Sequence, residues 1–372
     1  MFANNMLLRF LLLSKLICIV FARHKAFSDG EPNKLEKRAK RIGSSAVRTD
    51  SGRVLSNLVI ETRQRSSETR TAFICITGQL GRLELDNKIQ TLIHPLQEIG
   101  YNIDVALVLS KGKPHFTHAA YKEERFSTDE EVMEMLQGLR SVRVINGPNF
   151  SYEPLQNPNP PAIHYENLKR RDPRPFEDVF ARAQNHVRMF DSYQRCWDIE
   201  RRIAALSDPT NPHPPPQYDV YFRVRDDVGF EQPFNMTLVN DFVTFSRSPE
   251  HPKIMVVSDC RSMGGINDRM AMVSPAAAQD FFLAPYQVLA VDPYQGFGET
   301  GTQLNWKRVI GPEKILKNLY EASDIRIIQS KYVRGVMRII RRDNGNEFVD
   351  DFHHSDTKKS FCPMEAVDEH FY

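Results

Sequence analysis

The sequence predicts an α/β fold in which a mostly parallel sheet is covered by helices on both faces. Residues 71–77 (TAFICIT) form a short continuous apolar run of the sort found in strands buried on both sides, and residues 102–109 (NIDVALVL) are a second, strand-like run. Helical patterns separate these runs at the spacing of consecutive βαβ units, which puts the strands side by side and parallel. A later strand, within residues 218–230 (YDVYFRVRDDVGF), follows a long helical pattern and ends in two arginines and two adjacent aspartates.

The first strand runs into Gly78-Gln79-Leu80-Gly81-Arg82 and then a helical pattern through Ile99. After the second strand, residues 127–130 (STDE) have capping-box spacing ahead of a helix carrying Val132, Met135, Leu136 and Leu139. Residues 141–145 read as the next strand, 147–175 as a proline-rich loop, and 176–206 as a long helix broken by residues 208–216 (DPTNPHPPP). Beyond the charged strand, residues 242–245 and 254–257 read as strands, and 259–269 (DCRSMGGINDR) as a loop. Ser274 and Pro275 suit the start of a helix through Leu289, and a further helix is expected from Glu299 to Val309. Residues 326–342 read as a strand or strand pair with a basic face.

The chain has 372 residues, 41% of them hydrophobic, enough for a sizeable core. Its 49 Lys and Arg against 47 Asp and Glu leave a net charge of +2, so no global basic field points to nucleic acid. Residues 6–22 (MLLRFLLLSKLICIVFA) form an N-terminal targeting segment, either a cleaved signal peptide or a signal anchor within residues 1–25. Residues 26–70 are polar without apolar periodicity, as in a disordered stem. One catalytic domain is expected over residues 71–342, with a polar tail over 343–372. The secretory pathway, in the ER or Golgi lumen, follows as the expected location, with membrane contact only through an uncleaved N-terminal segment. The acceptor triplets Asn149-Phe150-Ser151 and Asn235-Met236-Thr237 agree with it. Of 5 cysteines, Cys18 lies in the targeting run; Cys75, Cys196, Cys260 and Cys362 allow one or two disulfides. Cys75, inside an apolar strand pattern, is expected to be a free buried thiol.

The charged strand end carries the chemistry. Guanidinium donors beside carboxylates can hold a diphosphate and a divalent cation. Gly78 lets backbone N–H groups approach an anion at the start of a helix. The histidine pairs His115/His118 and His353/His354 read as surface residues, and Trp197 and Trp306 as core.

The ordered set ITGQLGR, YFRVRDD and GGINDRMAM resembles the GT-A type of nucleotide-sugar glycosyltransferase, nearest to a poorly characterised eukaryotic glycosyltransferase-like group, over roughly residues 71–309. The resemblance implies a GT-A-like sheet with a Rossmann-like first half. It implies a nucleotide-sugar donor, bound by Thr77, Gly78, Gln79, Arg82, Arg223, Arg225, Asn267 and Arg269, and a glycan or glycoprotein acceptor. Asp227, with Asp226, stands at the family's metal position for Mn2+ or Mg2+, although adjacent aspartates on extended chain point to opposite sides and arginine can replace the cation's charge. Asp227 and Asp268 are expected in the catalytic site with Glu299, the candidate base for the acceptor hydroxyl. A luminal sulfotransferase and a catalytically inactive carbohydrate-binding relative are the alternatives.

Overall fold

The structure, a computed structural model, describes residues 70–111, 126–172, 174–211, 214–230, 232–259, 265–309, 311–330, 333, 335–343 and 346–351. The targeting run, the stem up to residue 69, Cys18, Cys260, Cys362 and both surface-histidine pairs lie outside them. All described residues belong to one structural unit, Thr62–Tyr372.

Strand β1 (Thr71–Gln79) leads through a tight turn (Leu80–Arg82) into a helical segment, α1 (Leu85–Lys88) and α2 (His94–Glu98) joined by a wider turn, Ile89–Ile93. Then come β2 (Asn102–Ser110), α3 (Asp129–Gln137), β3 (Val142–Val144), α4 (Ala162–Lys169), the long α5 (Phe176–Ser207), β4 (Val220–Arg225), β5 (Val228–Phe230) and α6 (Met236–Ser246). The chain continues with β6 (Ile254–Ser258), β7 (Met270–Val273), α7 (Pro275–Tyr286), the hairpin β8 (Gly296–Phe297) and β9 (Thr302–Gln303), and α8 (Pro312–Ala322). It closes with β10 (Arg326–Ser330), β11 (Gly335–Asp343) and β12 (Asn346–Asp351).

Seven strands form one sheet in the order β10-β6-β7-β4-β1-β2-β3. Every pairing is parallel except those of β7, which runs against β4 and β6. The expected α/β class with a mostly parallel sheet is what the chain adopts. Its two faces bury separate cores, because side chains alternate along each strand. Ala72, Ile74, Ile76, Val220, Phe222 and Val224 pack beneath the α1–α2 segment, α3 and α6. Phe73, Cys75 and Tyr221 pack beneath α5, α7 and α8. Trp197 and Trp306 are core residues, as expected. Among the described residues, no helix is long and apolar enough to cross a membrane.

Several expectations need correction. Cys75 is not a free thiol: it is bonded to Cys196, with a Cα–Cα separation of 6.0 Å. The strand pattern places Cys75 on the face that α5 crosses, and the helix turns Cys196 toward it. Residues 242–245 are not a strand but the end of α6, because Asn235 caps that helix and Val239, Phe242 and Val243 fall on its buried side. The helix expected from Glu299 to Val309 is replaced by the β8–β9 hairpin and a short 3-10 turn (Trp306–Arg308). Gly298 and Gly301 take φ values of 68° and 62°, which interrupt a helix. A helix, α8, follows Gly311 instead, and α4 lies inside the stretch read as loop. The capping box is Thr128 with Glu131, one residue later than expected. Ser274 does not cap α7 with its side chain, because its Oγ donates to Pro252 O and accepts from Ile254 N.

Candidate functional site

The parallel strands β1, β2, β4, β6 and β10 all end along one edge of the sheet. The reversed β7 begins there, directly after Asn267, Asp268 and Arg269. Open α/β sheets bind ligands beyond this carboxyl edge, where the strand order changes direction. Here the order changes between β1 and β4. Thr77 and Arg225 are partners in the register at that point, which brings together the two segments singled out in the sequence.

Asp226 is fully buried and builds the floor of the turn after β1. Its carboxylate accepts from Gln79 N at 2.9 Å and from Arg82 Nε and Nη2 at 2.9 and 3.1 Å. Its N–H donates to Thr77 O at 2.8 Å, and its carbonyl accepts from Lys88 Nζ at 2.8 Å and Glu84 N at 2.9 Å. Burial raises its pKa, against the pull of Arg82. Gly78, at φ 138°, lies against this carboxylate.

Asp227 turns its carboxylate to Arg225, which donates from Nε at 3.1 Å and Nη2 at 2.7 Å. Arg82 reaches the same carboxylate at 3.5 Å. Burial pushes the Asp227 pKa up, but Arg225 and Arg82 outweigh it and hold it well below the usual carboxylate range. Arg225 also donates from Nη1 to Asp268 at 3.1 Å, so one guanidinium spans β4 and the loop before β7. That loop is fixed by an Asx turn in which Asn267 Oδ1 accepts from Arg269 N at 2.8 Å, while Arg269 O accepts from Arg225 N at 2.9 Å. Asn267 therefore shapes the loop with its side chain.

Arg223 does not face the edge. It is only 2% exposed, lies 4.5 Å above the Tyr193 ring, and donates from Nη1 to the carbonyl of Asp268. It supports the loop from below, on the face of the sheet under α5. Arg225 and Arg82, with side chains 23% and 21% exposed, reach solvent.

Glu299 stands away from this cluster. Its N–H bonds to Asp324, which follows the C-terminal end of α8, whereas the backbone at Glu313 in the first turn of α8 bonds to Ile266, beside Asp268. The 11 residues of α8 separate the two ends by roughly 15 Å. Glu313, missed in the sequence, is the carboxylate brought toward the site: its pKa is raised by burial and by the nearby Asp268. Its signal was there, since Gly311-Pro312 opens a helix whose Ile315, Leu316, Leu319 and Tyr320 share a buried side. Lys88 was also missed; buried, it donates to the carbonyls of Asp226 and Val228 at 2.8 and 2.7 Å and ties α1 to the aspartate turn. Beside the end of β2, Arg195 stacks 4.3 Å over the Tyr152 ring, and burial pushes the Tyr152 pKa up to about 12.

Two polar atoms here are left over. Thr77 Oγ1 and Gln79 Oε1 are buried without a hydrogen-bond partner among the described residues, as is Arg223 Nε below them. Buried polar groups are nearly always satisfied, so orphans at a carboxyl edge invite a polar ligand. The aspartates do not fit a divalent cation in this arrangement. Arg82 and Gln79 N occupy the Asp226 carboxylate and Arg225 that of Asp227, and among the described residues no group of three His, Cys, Asp or Glu side chains is placed to hold a metal. Comparison of the chain with protein-family models and with curated proteins returns no match.

Proposed function

We propose that the chain is a glycosyltransferase of GT-A type, moving a sugar from a nucleotide diphosphate donor to a glycan or protein acceptor in the secretory pathway. The observation that carries this reading is the pair of unpartnered oxygens, Thr77 Oγ1 and Gln79 Oε1, beside the guanidinium groups of Arg82 and Arg225 where strand order reverses. The run β3-β2-β1-β4 follows the strand order that doubly wound nucleotide folds use up to and across the switch point, and the reversed β7 beyond it is compatible with GT-A.

In this reading Thr77, Gln79 and the backbone at Gly78 meet the nucleotide. Arg225 and Arg82 neutralise the diphosphate as it departs, a role that guanidinium groups fill by bidentate contact. Asp227 orients Arg225, Asp226 holds the turn that presents Gln79 and Arg82, and Asn267, Arg269 and the buried Arg223 fix the loop carrying Asp268. The C1–O bond to the diphosphate breaks, the acceptor oxygen bonds to C1, and the acceptor's proton passes to a carboxylate. Asp268, paired with Arg225, and the neighbouring Glu313 are the candidates for that carboxylate. A Mn2+ or Mg2+ ion has no place in these steps.

The second reading, an inactive carbohydrate-binding relative, draws support from the saturation of Asp226 and Asp227 by arginines. Thermal shift with nucleoside diphosphates and nucleotide sugars in the presence of EDTA, followed by a transfer assay, separates the readings. The transferase reading expects stabilisation by a nucleoside diphosphate without metal, and turnover with one nucleotide sugar. Stabilisation only by a 3′-phosphonucleotide would indicate a sulfotransferase, and no response to any nucleotide would leave the inactive relative.

A further inference from the structure

We infer that Asn235 is a site of N-linked glycosylation. Asn235-Met236-Thr237 has the acceptor pattern, and both Asn235 and Thr237 are exposed. Asn235 is the N-cap of α6: its Oδ1 accepts from Thr237 N at 3.0 Å and Leu238 N at 3.3 Å. The cap uses only the oxygen. Nδ2 makes no hydrogen bond among the described residues, so a sugar on that nitrogen leaves both capping bonds in place. α6 packs on the face of the sheet opposite Cys75 and α5, away from the face that carries Arg223, and Phe234 next to Asn235 is buried there.

A second observation is independent of the triplet. The Cys75–Cys196 disulfide crosses the buried core and forms in an oxidising compartment, the kind in which asparagine is glycosylated. The other triplet behaves differently in the folded chain. Ser151 is locked, its Oγ and N–H donating to Asp129 Oδ2 at 2.8 and 3.1 Å, and Phe150 between it and Asn149 is 6% exposed. The assignment is made to Asn235, where asparagine and threonine are both exposed.

The reaction draws on an oligosaccharide linked to a lipid diphosphate and on the host's own transferase. A bond forms between Asn235 Nδ2 and the sugar C1, the C1–O bond to the diphosphate breaks, and the amide gives up one proton; nothing is oxidised or reduced. The test is expression of the full chain in a eukaryotic secretory host, with peptide mass mapping before and after an N-glycanase that converts glycosylated asparagine to aspartate. The expected result is a glycan on the Asn235 peptide that is lost in Thr237→Ala, which keeps the cap, and in Asn235→Asp, whose carboxylate caps as well. Both variants should keep the far-UV circular dichroism of the parent. An unmodified Asn235 in folded protein overturns the inference. So does a glycan that persists in Thr237→Ala, or a chain recovered with Cys75 and Cys196 reduced and no sugar attached.

Discussion

A β-carbon added to Gly78 would lie 2.1 Å from Oδ1 of Asp226, closer than any two such atoms can come. The glycine and the aspartate are thus one device: the absent side chain makes room for a carboxylate that receives Gln79 N and Arg82. Replacing Gly78 by alanine meets two penalties, the clash and a φ of 138° that L residues rarely adopt. We expect Gly78→Ala to lose about 2–4 kcal/mol, measured by urea unfolding. In an Asp226→Ala background, which already lacks the carboxylate, the further cost of Gly78→Ala should shrink to the backbone strain, and no further cost would show that the backbone is unstrained.

Arg82→Met tests the same turn from its other side. It leaves the fully buried Asp226 carboxylate with only its backbone donor, and breaking a buried pair in this way costs about 3–5 kcal/mol. A variant as stable as the parent at neutral pH would mean that Asp226 takes up a proton at little cost.

Arg225→Lys separates charge from geometry. Lysine keeps the positive charge but cannot span the Asp227 carboxylate and Asp268 together, as Arg225 does. Under the proposed function, nucleoside diphosphate affinity should fall about tenfold or more, roughly 1.4 kcal/mol, in isothermal titration. Asp227→Asn should reduce turnover more than affinity, since it frees the guanidinium without removing it.

Glu313→Gln and Glu299→Gln form a paired comparison. If a carboxylate near Asp268 takes the acceptor's proton, Glu313→Gln lowers kcat by about 100-fold or more, and the loss should flatten the acidic limb of the pH–rate profile. Glu299→Gln should match the parent in both kcat and KM. The opposite pattern would return the role to Glu299.

The buried pair His164 and His186, 3.0 Å apart, makes stability depend on pH. Burial lowers the pKa of His164 from 6.5 to about 4, and that of His186 falls as well, with Arg182 disfavouring charge on both. Because the folded-state values are depressed, the unfolded chain binds the extra protons. Their contribution is complete above pH 6.5 and is lost as the pH falls toward about 4. The raised pKa of Glu313 acts with the opposite sign over part of that range, so the comparison must be with a variant. His164→Phe with His186→Leu should show a flatter fall in thermal midpoint between pH 7 and pH 5 than the parent.

The sequence made β1, β2, α5 and β4 readable because each has one dominant signal: an unbroken apolar run, a long helical period, or a strand ending in charge. Arg225 and Asp227 were readable for the same reason, since strand ends in parallel sheets collect chemistry. Asp268 was readable from the loop motif that carries it, but Lys88 and Glu313 were not, because they come from elements 225 positions apart in the chain, and only the topology joins them to the site. Arg223 looked equivalent to Arg225 by the two-residue period. Both share a face, but one lies under helix α5 and the other beyond the sheet's rim, a difference of depth that alternation does not record. Residues 242–245 failed on composition, since phenylalanine, valine and threonine favour strands while spacing and the Asn235 cap favour helix.

The disulfide also imposes an order of assembly. Cys75 is made 121 residues before Cys196, so β1 must wait for most of α5 to leave the ribosome before the two sulfurs can meet. Until that helix arrives, Thr77, two residues beyond Cys75, lies on a strand whose α5-facing side is uncovered. Completion of the sheet's carboxyl edge is therefore a late event in biosynthesis, set by the arrival of a helix that contributes its cysteine from the opposite side of the core.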